Sequence, residues 1–396
     1  MANIPHAAII TLDDGSLVGS HDHTILQCAR GAVLVRVYAV ALNPSDHKVP
    51  AVVRQAGLVA GSDFAGEIVE VGADANDALL LPKGGTSSFS LSRTPWKIGD
   101  HVCGAVLGAN PDNPGRGAFA LYVEADPLVL MRVPLDLDWA TAAAVGGSCI
   151  GAVGLALFRD LGLNLTNFEG VADDRIRSMP GLGTSTPPSA LSKEDLRRIV
   201  LVYGGSTACG TMAIQLLSLA GYIPITTCSP HNNSLVTSYG AVAVFDYNKV
   251  DSCAREIKAY TKGSLARVID CIGTTQSAAL CYAAIGRTGG HYVSLEKFPD
   301  SVAATRRVVR ASWVMGPLML GGKIDMGDYS LDADPSARHF ARTWFTLVQS
   351  LLCSGRIKSH PVKLTLAAGD WMKAVISGLS TVKDGTMSGE KLVVVL

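Results

Sequence analysis

The sequence has 396 residues, enough for two or three domains of about 150 residues each. Apolar residues make up 48% and charged residues 17%, a composition that excludes a chain disordered throughout its length. Lysine plus arginine (34) equal aspartate plus glutamate (34), and this zero formal charge argues against a nucleic-acid-binding face.

The cysteines and the apolar segments indicate the cellular compartment of the protein. The nine cysteines form no Cys-x-x-Cys pair, which favours a reducing compartment, the cytoplasm, over a disulfide framework. The first fifteen residues lack the pattern of a secretory signal, so none is expected. Trp139–Phe158 is uncharged and long enough to span a membrane, but Gly146 and Gly147 interrupt it. We therefore expect a buried helix pair and no membrane association.

The first ~140 residues predict a β-rich module of short strands and glycine turns. Ala32–Val40 is rich in valine, with Arg36 and Tyr38 alternating, which predicts a strand. Strands are also expected at Glu67–Val71, which is followed by a glycine, and at His101–Val106, after a turn at Gly99-Asp100. The final residues, Lys391–Leu396, predict one more strand, which we expect to return to this module.

From residue 199 the pattern changes to alternating strands and helices. Ile199–Tyr203 is continuously apolar, as is typical of a buried parallel strand. Further strands are expected at Tyr222–Thr227, Val242–Phe245, Ala266–Cys271 and His291–Leu295, and helices at Thr211–Ala220, Asn233–Tyr239, Cys253–Tyr260 and Gln276–Ile285. This alternation predicts a doubly wound α/β sheet. A capping box at Ser192–Asp195 predicts a short helix before the first of these strands.

A glycine-rich turn, Tyr203–Gly210, joins the first of these strands to its helix. Glycines let the backbone approach a pyrophosphate, and the helix N-terminus supplies amide donors and partial positive charge. The match to Gly-x-Gly-x-x-Gly is partial, because Ala208 stands where a middle glycine would. The candidate cofactor-binding residues here are Gly205, Ser206, Thr207, Ala208 and Cys209. A plain turn, or a nucleophilic Ser206, is the alternative.

The end of the second strand predicts which dinucleotide would bind. An NAD site carries an acidic residue near this position, to hold the ribose 2′-hydroxyl. Thr227–Asn232 contains no acid. The side chains of Ser229, His231 and Asn232 are better suited to a 2′-phosphate, so NADPH is favoured.

Five further segments follow one another in a recognisable order: Ala41–Lys48, Gly61–Val69, Gly99–Val102, Gly117–Ala120 and Ser388–Val394. Together with the glycine-rich turn they resemble the zinc-independent part of the medium-chain dehydrogenase/reductase superfamily. Leu201–Ala208, Ser218–Asn232 and Ala284–Leu295 are similar to the fungal trans-acting enoyl reductases of polyketide synthases, of which the lovastatin type is the best known.

The resemblance implies a GroES-like catalytic domain at residues 1–150 and 345–396, and a Rossmann domain at residues 151–344. Insertions are expected near 79–95 and 164–195. It also implies an NADPH-dependent transfer of hydride to the β-carbon of an α,β-unsaturated polyketide thioester. The implied partner is the acyl carrier domain of a polyketide synthase, including hybrids with a peptide synthetase.

Roles for particular residues also follow from the resemblance. It implies that Lys48 is catalytic, in contact with the cofactor or the forming enolate. Further residues implied at the cofactor are Asn43, Asp46, Tyr239, Cys271, Ile272, Gly273, Ser388, Gly389 and Lys391. Residues implied at the substrate are Ser148, Cys149, Ile150, Ser294, Leu295 and Phe298. The sequence identifies no proton donor, and solvent could serve.

The sequence departs from the metal-dependent members of the superfamily. Asn43 stands where those members place a cysteine, and Gly61-Ser62-Asp63 stands where they place Gly-His-Glu. We therefore expect no metal. Two alternatives remain open: an NADPH-dependent reductase of quinones or free enones, and a non-reducing member that binds a polyketide synthase or its product.

Overall fold

The computed structural model describes residues 5–24, 27–79, 93–165, 168, 191–365 and 369–396. The chain divides into two compact units, Met1–Gly151 with Gly316–Leu396, and Ala152–Met315. We call them the terminal unit and the central unit. The second boundary differs from the expected position at 344/345. The helix Pro335–Cys353 begins before that position and belongs wholly to the terminal unit, where Trp344 Nε1 donates to the Ile150 carbonyl oxygen at 3.0 Å.

The terminal unit is built on strands that run mostly antiparallel. Its strands are β1 (Pro5–Thr11), β2 (Leu17–Thr24), β3 (Val33–Ala41), β4 (Asp63–Val71), β5 (His101–Ala105), β6 (Tyr122–Ala125), β7 (Leu130–Arg132), β14 (Val362–Leu364) and β15 (Lys391–Val395). The main sheet has the order β14-β15-β3-β4-β5-β7, β6 pairs with β3, and β1 and β2 form a hairpin. The expected return of the last strand is confirmed, because Val393 of β15 lies opposite Ala41 of β3.

Buried apolar side chains of these strands form the core of the terminal unit. Val33, Val35 and Val37 of β3 and Phe64 and Ile68 of β4 are buried in one hydrophobic cluster. The predicted strands at 32–40, 67–71 and 101–106 are therefore present, each within a few residues of its expected bounds. The hairpin β1–β2 was not predicted, since β2 is exposed and polar over much of its length.

Helices connect several strands of the terminal unit. They are α1 (Ser45–Val53), α2 (Trp139–Val145), α3 (Gly147–Gly154), α10 (Pro335–Cys353) and α11 (Trp371–Lys383), with α3 crossing the unit boundary. The helical stretch Trp139–Asp160 is long and apolar enough to span a membrane, but 83% of its most apolar window is buried inside the structure. Asp138 caps α2, and Gly146, at φ +71°, separates α2 from α3 as expected.

The central unit is a parallel six-stranded sheet in the order β10-β9-β8-β11-β12-β13. Its strands are β8 (Ile199–Tyr203), β9 (Ile223–Thr227), β10 (Ala243–Phe245), β11 (Arg267–Asp270), β12 (Gly290–Ser294) and β13 (Val309–Trp313). Its helices are α4 (Lys193–Arg198), α5 (Ala208–Leu219), α6 (Asn233–Ser238), α7 (Val250–Tyr260), α8 (Thr275–Ala284) and α9 (Asp300–Thr305), after a π-helical turn at Leu155–Asp160. The predicted doubly wound sheet is confirmed.

Sequence patterns located most elements of the central unit closely. The capping box at Ser192 and Asp195 is present, with the hydroxyl and the carboxylate each bonding the other residue's backbone N–H. Strand β13 and helix α9 were not predicted. Most of the expected insertions near 79–95 and 164–195 lies outside the described residues.

Candidate functional site

The carboxyl-terminal ends of four neighbouring strands are aligned at the same edge of the sheet in the central unit. The ladder aligns Thr227 of β9 with Tyr203 of β8, Tyr203 with Asp270 of β11, and Asp270 with Ser294 of β12. The turns that follow these residues therefore lie side by side. They contain the predicted cofactor residues of this unit except Tyr239, at the edge where open α/β sheets bind their ligands.

The glycine-rich turn after β8 is held tightly by the neighbouring strand. Gly204 N–H donates to Thr227 Oγ1 at 3.1 Å, and Gly205 N–H donates to the Thr227 carbonyl oxygen at 2.9 Å. A Cβ on Gly205 would lie 1.9 Å from Thr226 Oγ1, so only glycine fits there. A Cβ on Gly210 would lie 2.3 Å from the Gly204 carbonyl oxygen.

The start of α5 completes this turn. Thr207 Oγ1 accepts from Gly210 N–H at 2.9 Å and donates to the Gly204 carbonyl oxygen at 2.8 Å. The residues Ser206 to Cys209 are half-buried, at the N-terminus of a twelve-residue helix. A glycine-rich turn at the positive end of a helix dipole fits a pyrophosphate.

The loop after β9 contains the residues that sequence analysis linked to a 2′-phosphate. Ser229 Oγ lies 3.1 Å from Tyr247 Oη, His231 is exposed, and Asn232 is buried. Tyr239 ends α6 with 8% of its surface exposed, and burial raises the pKa of its phenol.

A buried carboxylate shapes the turn after β11. Asp270 Oδ1 accepts from Ile272 N–H at 2.9 Å and Gly273 N–H at 3.0 Å, while Oδ2 accepts from Tyr292 Oη at 2.8 Å. Burial raises the pKa of Asp270, and these hydrogen bonds oppose that shift. Asp270 therefore fixes the turn Cys271–Gly273, which leaves Ile272 38% exposed. It was missed as a positioning residue because a lone acid after a strand has no distinctive spacing.

The turns after β11 and β12 lie against each other. A Cβ on Gly273, whose φ is +70°, would lie 2.4 Å from Glu296 Cβ and 2.8 Å from Ser294 Oγ. Ser294 is fully buried and Leu295 is half-buried, and the Phe298 ring packs edge-on against Tyr292 at 5.0 Å. Of the three predicted substrate residues here, Leu295 and Phe298 are thus the more accessible.

The terminal unit contains a second polar site, built from buried side chains. Lys391 Nζ lies 2.7 Å from Asn43 Oδ1 and 3.2 Å from Asp63 Oδ2, and Asn43 Nδ2 donates to Asp63 Oδ2 at 2.9 Å. The Lys391 and Asp63 side chains are 4% and 0% exposed. Asp63 opens β4 and Lys391 opens β15, and Asn43 follows β3, which lies between them in the sheet.

The break between α2 and α3 lies directly over this ion pair. Ser148 N–H donates to Asp63 Oδ1 at 2.8 Å. A Cβ on Gly146 would lie 3.2 Å from Asp63 Oδ2 and 3.4 Å from Lys391 Nζ. A Cβ on Gly147 would lie 2.4 Å from the Gly104 carbonyl carbon. The two glycines therefore let the helix start approach the buried charges.

A second buried carboxyl group belongs to the same cluster. Asp46 Oδ1 accepts from Ser62 Oγ at 2.7 Å, and Asp46 Oδ2 accepts from Asn43 N–H at 2.8 Å. Burial raises the pKa of Asp46 to about 7, and the negative charge of Asp63 adds to the effect. We call Asn43, Asp46, Ser62, Asp63 and Lys391 the polar cluster.

His360 lies in the electric field of the polar cluster. It is 3% exposed, and burial together with the positive charge of Lys391 lowers its pKa to about 4. His360 is therefore neutral at physiological pH.

The polar cluster brings together three predicted cofactor residues, Asn43, Asp46 and Lys391, and the predicted substrate residue Ser148. The other predicted residues of this unit lie around it. Lys48 is half-buried, a half-turn beyond Asp46 on α1, while Ser388 is exposed and Gly389 turns the chain into β15 at φ +69°. Cys149 and Ile150 are buried in the helix start.

Ser62, Asp63 and His360 were not predicted as site residues. A signal for Lys391 does exist in the sequence, because it is a charged residue at the start of an otherwise apolar strand. Asp63 has no such signal, since Glu67 and Glu70 follow it in β4. The parts of the chain that the structure describes contain no group of three or more His, Cys, Asp or Glu side chains placed to hold a metal ion.

Comparison with known proteins agrees with this architecture. The family description "Alcohol dehydrogenase GroES-like domain" matches residues 29–134. The solved structure of a putative zinc-dependent alcohol dehydrogenase from Rhizobium etli superposes with a TM-score of 0.71 at 23% identity, covering 99% of this chain and 98% of the other. The CurK enoyl reductase superposes with a TM-score of 0.66 at 15% identity and 99% coverage of both chains. These likenesses show the fold that the chain shares with both proteins, a GroES-like domain together with a parallel α/β sheet domain.

Sequence relatives narrow the assignment. The trans-enoyl reductase ucsL of Acremonium sp. is 51% identical over 98% of this chain and 96% of its own length. The trans-enoyl reductase FSL5 of Gibberella zeae is 41% identical over 99% of this chain and 98% of its own length. The chain belongs to the trans-enoyl reductase family.

Proposed function

We propose that this protein is an NADPH-dependent enoyl reductase that acts in trans on a fungal polyketide synthase, in the cytoplasm. Its substrate would be an α,β-unsaturated polyketide thioester on an acyl carrier domain of that synthase. The observation that carries this proposal is the 51% identity to a trans-enoyl reductase over 98% of the chain. The glycine cradle of the central unit, which accepts no Cβ at Gly205, supports the cofactor part of it.

The choice of NADPH rests on the loop after β9. An acidic residue here would repel a 2′-phosphate, and Thr227–Asn232 contains none. The exposed imidazole of His231 and the hydroxyl of Ser229 are donors suited to phosphate oxygens. We expect NADPH to bind at least about tenfold more tightly than NADH, measured by fluorescence titration. Ser229→Asp should reverse that preference, whereas equal affinity of the wild type for both would contradict this part of the proposal.

A nicotinamide cofactor, when bound, would supply the hydride for the β-carbon of the substrate. The protein's task is to hold both reactants, exclude water and stabilise the negative charge that develops on the thioester oxygen. Lys48, half-buried on α1, is the candidate cation for the cofactor or for that oxygen. The Ser148 segment and the Leu295–Phe298 loop are the candidate substrate contacts.

The first experiment is NADPH oxidation with an α-methyl-enoyl pantetheine thioester, with mass spectrometry of the product. A saturated thioester, formed with NADPH in preference to NADH, is expected. Turnover of quinones or free enones in place of the thioester would favour the first alternative. Tight NADPH binding without reduction of either class would favour a non-reducing member.

Lys48→Ala tests the proposed role of Lys48. We expect a loss of turnover of at least about 100-fold with a small change in melting temperature, because a half-buried lysine adds little to stability. Lys373→Ala, at a lysine with 81% side-chain exposure on α11, is the matched control. Parallel losses of rate and melting temperature in Lys48→Ala would contradict the assignment.

A further inference from the structure

A short chain of hydrogen bonds connects the interior of the polar cluster to a more accessible hydroxyl group. Asp46 is 3% exposed, and its Oδ1 lies 2.7 Å from Ser62 Oγ. Ser62 is half-buried. The pair therefore forms a path by which a proton on the buried carboxyl group can move outward through one hydroxyl.

The charges of the polar cluster leave one proton on its two carboxyl groups. Lys391 is the buried cation, and Asp63 lies 3.2 Å from it. Asp63 also accepts from Asn43 Nδ2 and Ser148 N–H, so Asp63 is the group that carries the negative charge. A second buried carboxylate without its own cation would be costly, and protonation of Asp46 avoids that cost.

The geometry also fixes where the proton on Asp46 lies. Oδ2 already accepts from Asn43 N–H at 2.8 Å, so in the protonated acid the hydrogen belongs on Oδ1, and Ser62 Oγ, which donates to the ionised carboxylate, becomes the acceptor. When Asp46 donates to Ser62, the hydroxyl hydrogen of Ser62 is available to a different acceptor. The pKa of about 7 keeps a large fraction of Asp46 protonated at neutral pH.

We propose that Ser62 donates the proton that completes the reduction, and that Asp46 replaces it. This inference rests on the proposed function. The enolate electron pair forms a new C–H bond at the α-carbon with the Ser62 hydroxyl hydrogen. The Asp46 proton moves at the same time to Ser62 Oγ, and the carboxylate left on Asp46 regains a proton from water. Ser62 is then a catalytic residue, and Asp46 is its proton source.

Two charged groups on neighbouring strands act on this pair. The negative charge of Asp63 of β4 favours the protonated form of Asp46, and the positive charge of Lys391 of β15 favours the ionised form. We therefore expect turnover to fall as the pH rises through about 7, when Asp46 loses its proton.

Product stereochemistry tests the relay directly. With the α-methyl-enoyl pantetheine thioester and NADPH, the wild type should give one configuration at the α-carbon. Ser62→Ala and Asp46→Asn should lower turnover by about 100-fold and give both configurations, because solvent then protonates the enolate from either side. Ser45→Ala, at an exposed serine in the same helix turn, should behave as wild type. NADPH affinity should be unchanged in Ser62→Ala and Ser45→Ala.

Each other result overturns the proposal. A single configuration from Ser62→Ala, or turnover near wild type, would assign the proton to another donor. If Asp46→Asn does not fold, Ser62→Ala carries the test, because it removes a single oxygen atom. A wild type that leaves this thioester unreduced overturns the proposed function, and the relay with it.

Infrared spectroscopy tests the proton on Asp46 without any turnover. The wild type should show the carbonyl band of a protonated carboxyl group that disappears as the pH rises through about 7. Asp46→Asn should lack this band, and Ser62→Ala should retain it at a shifted frequency. Absence of the band from the wild type would overturn the relay whatever the substrate.

Discussion

The two units build their sites from different materials. The central unit uses backbone, because a Cβ on Gly204, Gly205 or Gly210 would collide with a neighbouring protein atom, so the turn is built from glycines. The terminal unit uses side chains, because Asn43, Asp63 and Lys391 bond one another inside the sheet. A backbone site shows in the sequence as glycines at short spacing. A side-chain site is assembled from residues up to 348 positions apart, and short-range patterns do not reveal it.

The two units also differ in charge. Among the described residues, the central unit has fourteen Lys and Arg against nine Asp and Glu, while the terminal unit has seventeen against twenty-two. Although the formal net charge of the whole chain is zero, the described part of the central unit is basic and that of the terminal unit is acidic. The basic unit is the one that contains the glycine-rich turn proposed to bind the pyrophosphate, as expected for a polyanionic dinucleotide.

The largest effect should follow from breaking the buried ion pair of the terminal unit. Lys391→Met leaves Asp63 buried without its cation, so we expect about 3–5 kcal/mol less stability in urea unfolding. The double variant Asp63→Leu/Lys391→Met should recover part of that loss, because no unpaired charge then remains. A loss below about 1 kcal/mol in the single variant would mean that the pair behaves like a surface ion pair.

Acidification should destabilise the terminal unit through His360. Its pKa is about 4 when folded and 6.5 ordinarily, so the unfolded state binds more protons between these values. Stability contributed by the neutral imidazole is complete above about pH 6.5 and falls by about 3 kcal/mol on going down to pH 4. His360→Gln should flatten the plot of unfolding free energy against pH in this range. An unchanged slope would show that His360 is solvated.

The central unit should be most sensitive at its glycine turn. Gly205→Val forces a Cβ to within 1.9 Å of Thr226 Oγ1, so the turn must open. We expect the NADPH dissociation constant to rise by about 100-fold, which corresponds to about 2.7 kcal/mol. Gly31→Ala, with no atom within 4 Å of its Cβ, should bind NADPH as wild type. Normal affinity in Gly205→Val would place the cofactor elsewhere.

The smallest expected effects concern two helix caps, one in each unit. Asp138 caps α2 through Thr141 N–H at 2.9 Å, and Thr207 caps α5 through Gly210 N–H at the same distance. Replacing either by alanine should cost about 1 kcal/mol in unfolding free energy. Only Thr207→Ala should also weaken NADPH binding. If Asp138→Ala weakened NADPH binding as much as Thr207→Ala, the Thr207 cap would have no specific role in cofactor binding.

Sequence patterns predicted helices and strands accurately where the residues of the segment itself determine its structure. The buried strand Ile199–Tyr203 and the capping box of α4 were placed at their observed positions. The boundary at 344/345 was misplaced because it depends on where α10 packs, and Arg338 pairs with Asp126 more than two hundred residues away. The hairpin β1–β2 was missed for a related reason, since its stability depends on pairing and not on alternation.

The sequence by itself determined the fold class, the glycine turn and the family, because strand and helix periodicity and short motifs are local properties. Only the tertiary structure decided the polar cluster. It brings Asp63 and Lys391 to the starts of two strands that flank β3 in the sheet, where low solvent exposure makes their pairing necessary. It also placed Asp46 beside Asp63, and that proximity, together with burial, raises the pKa of Asp46 to about 7. Burial and long-range proximity set these properties, and neither is encoded in local spacing.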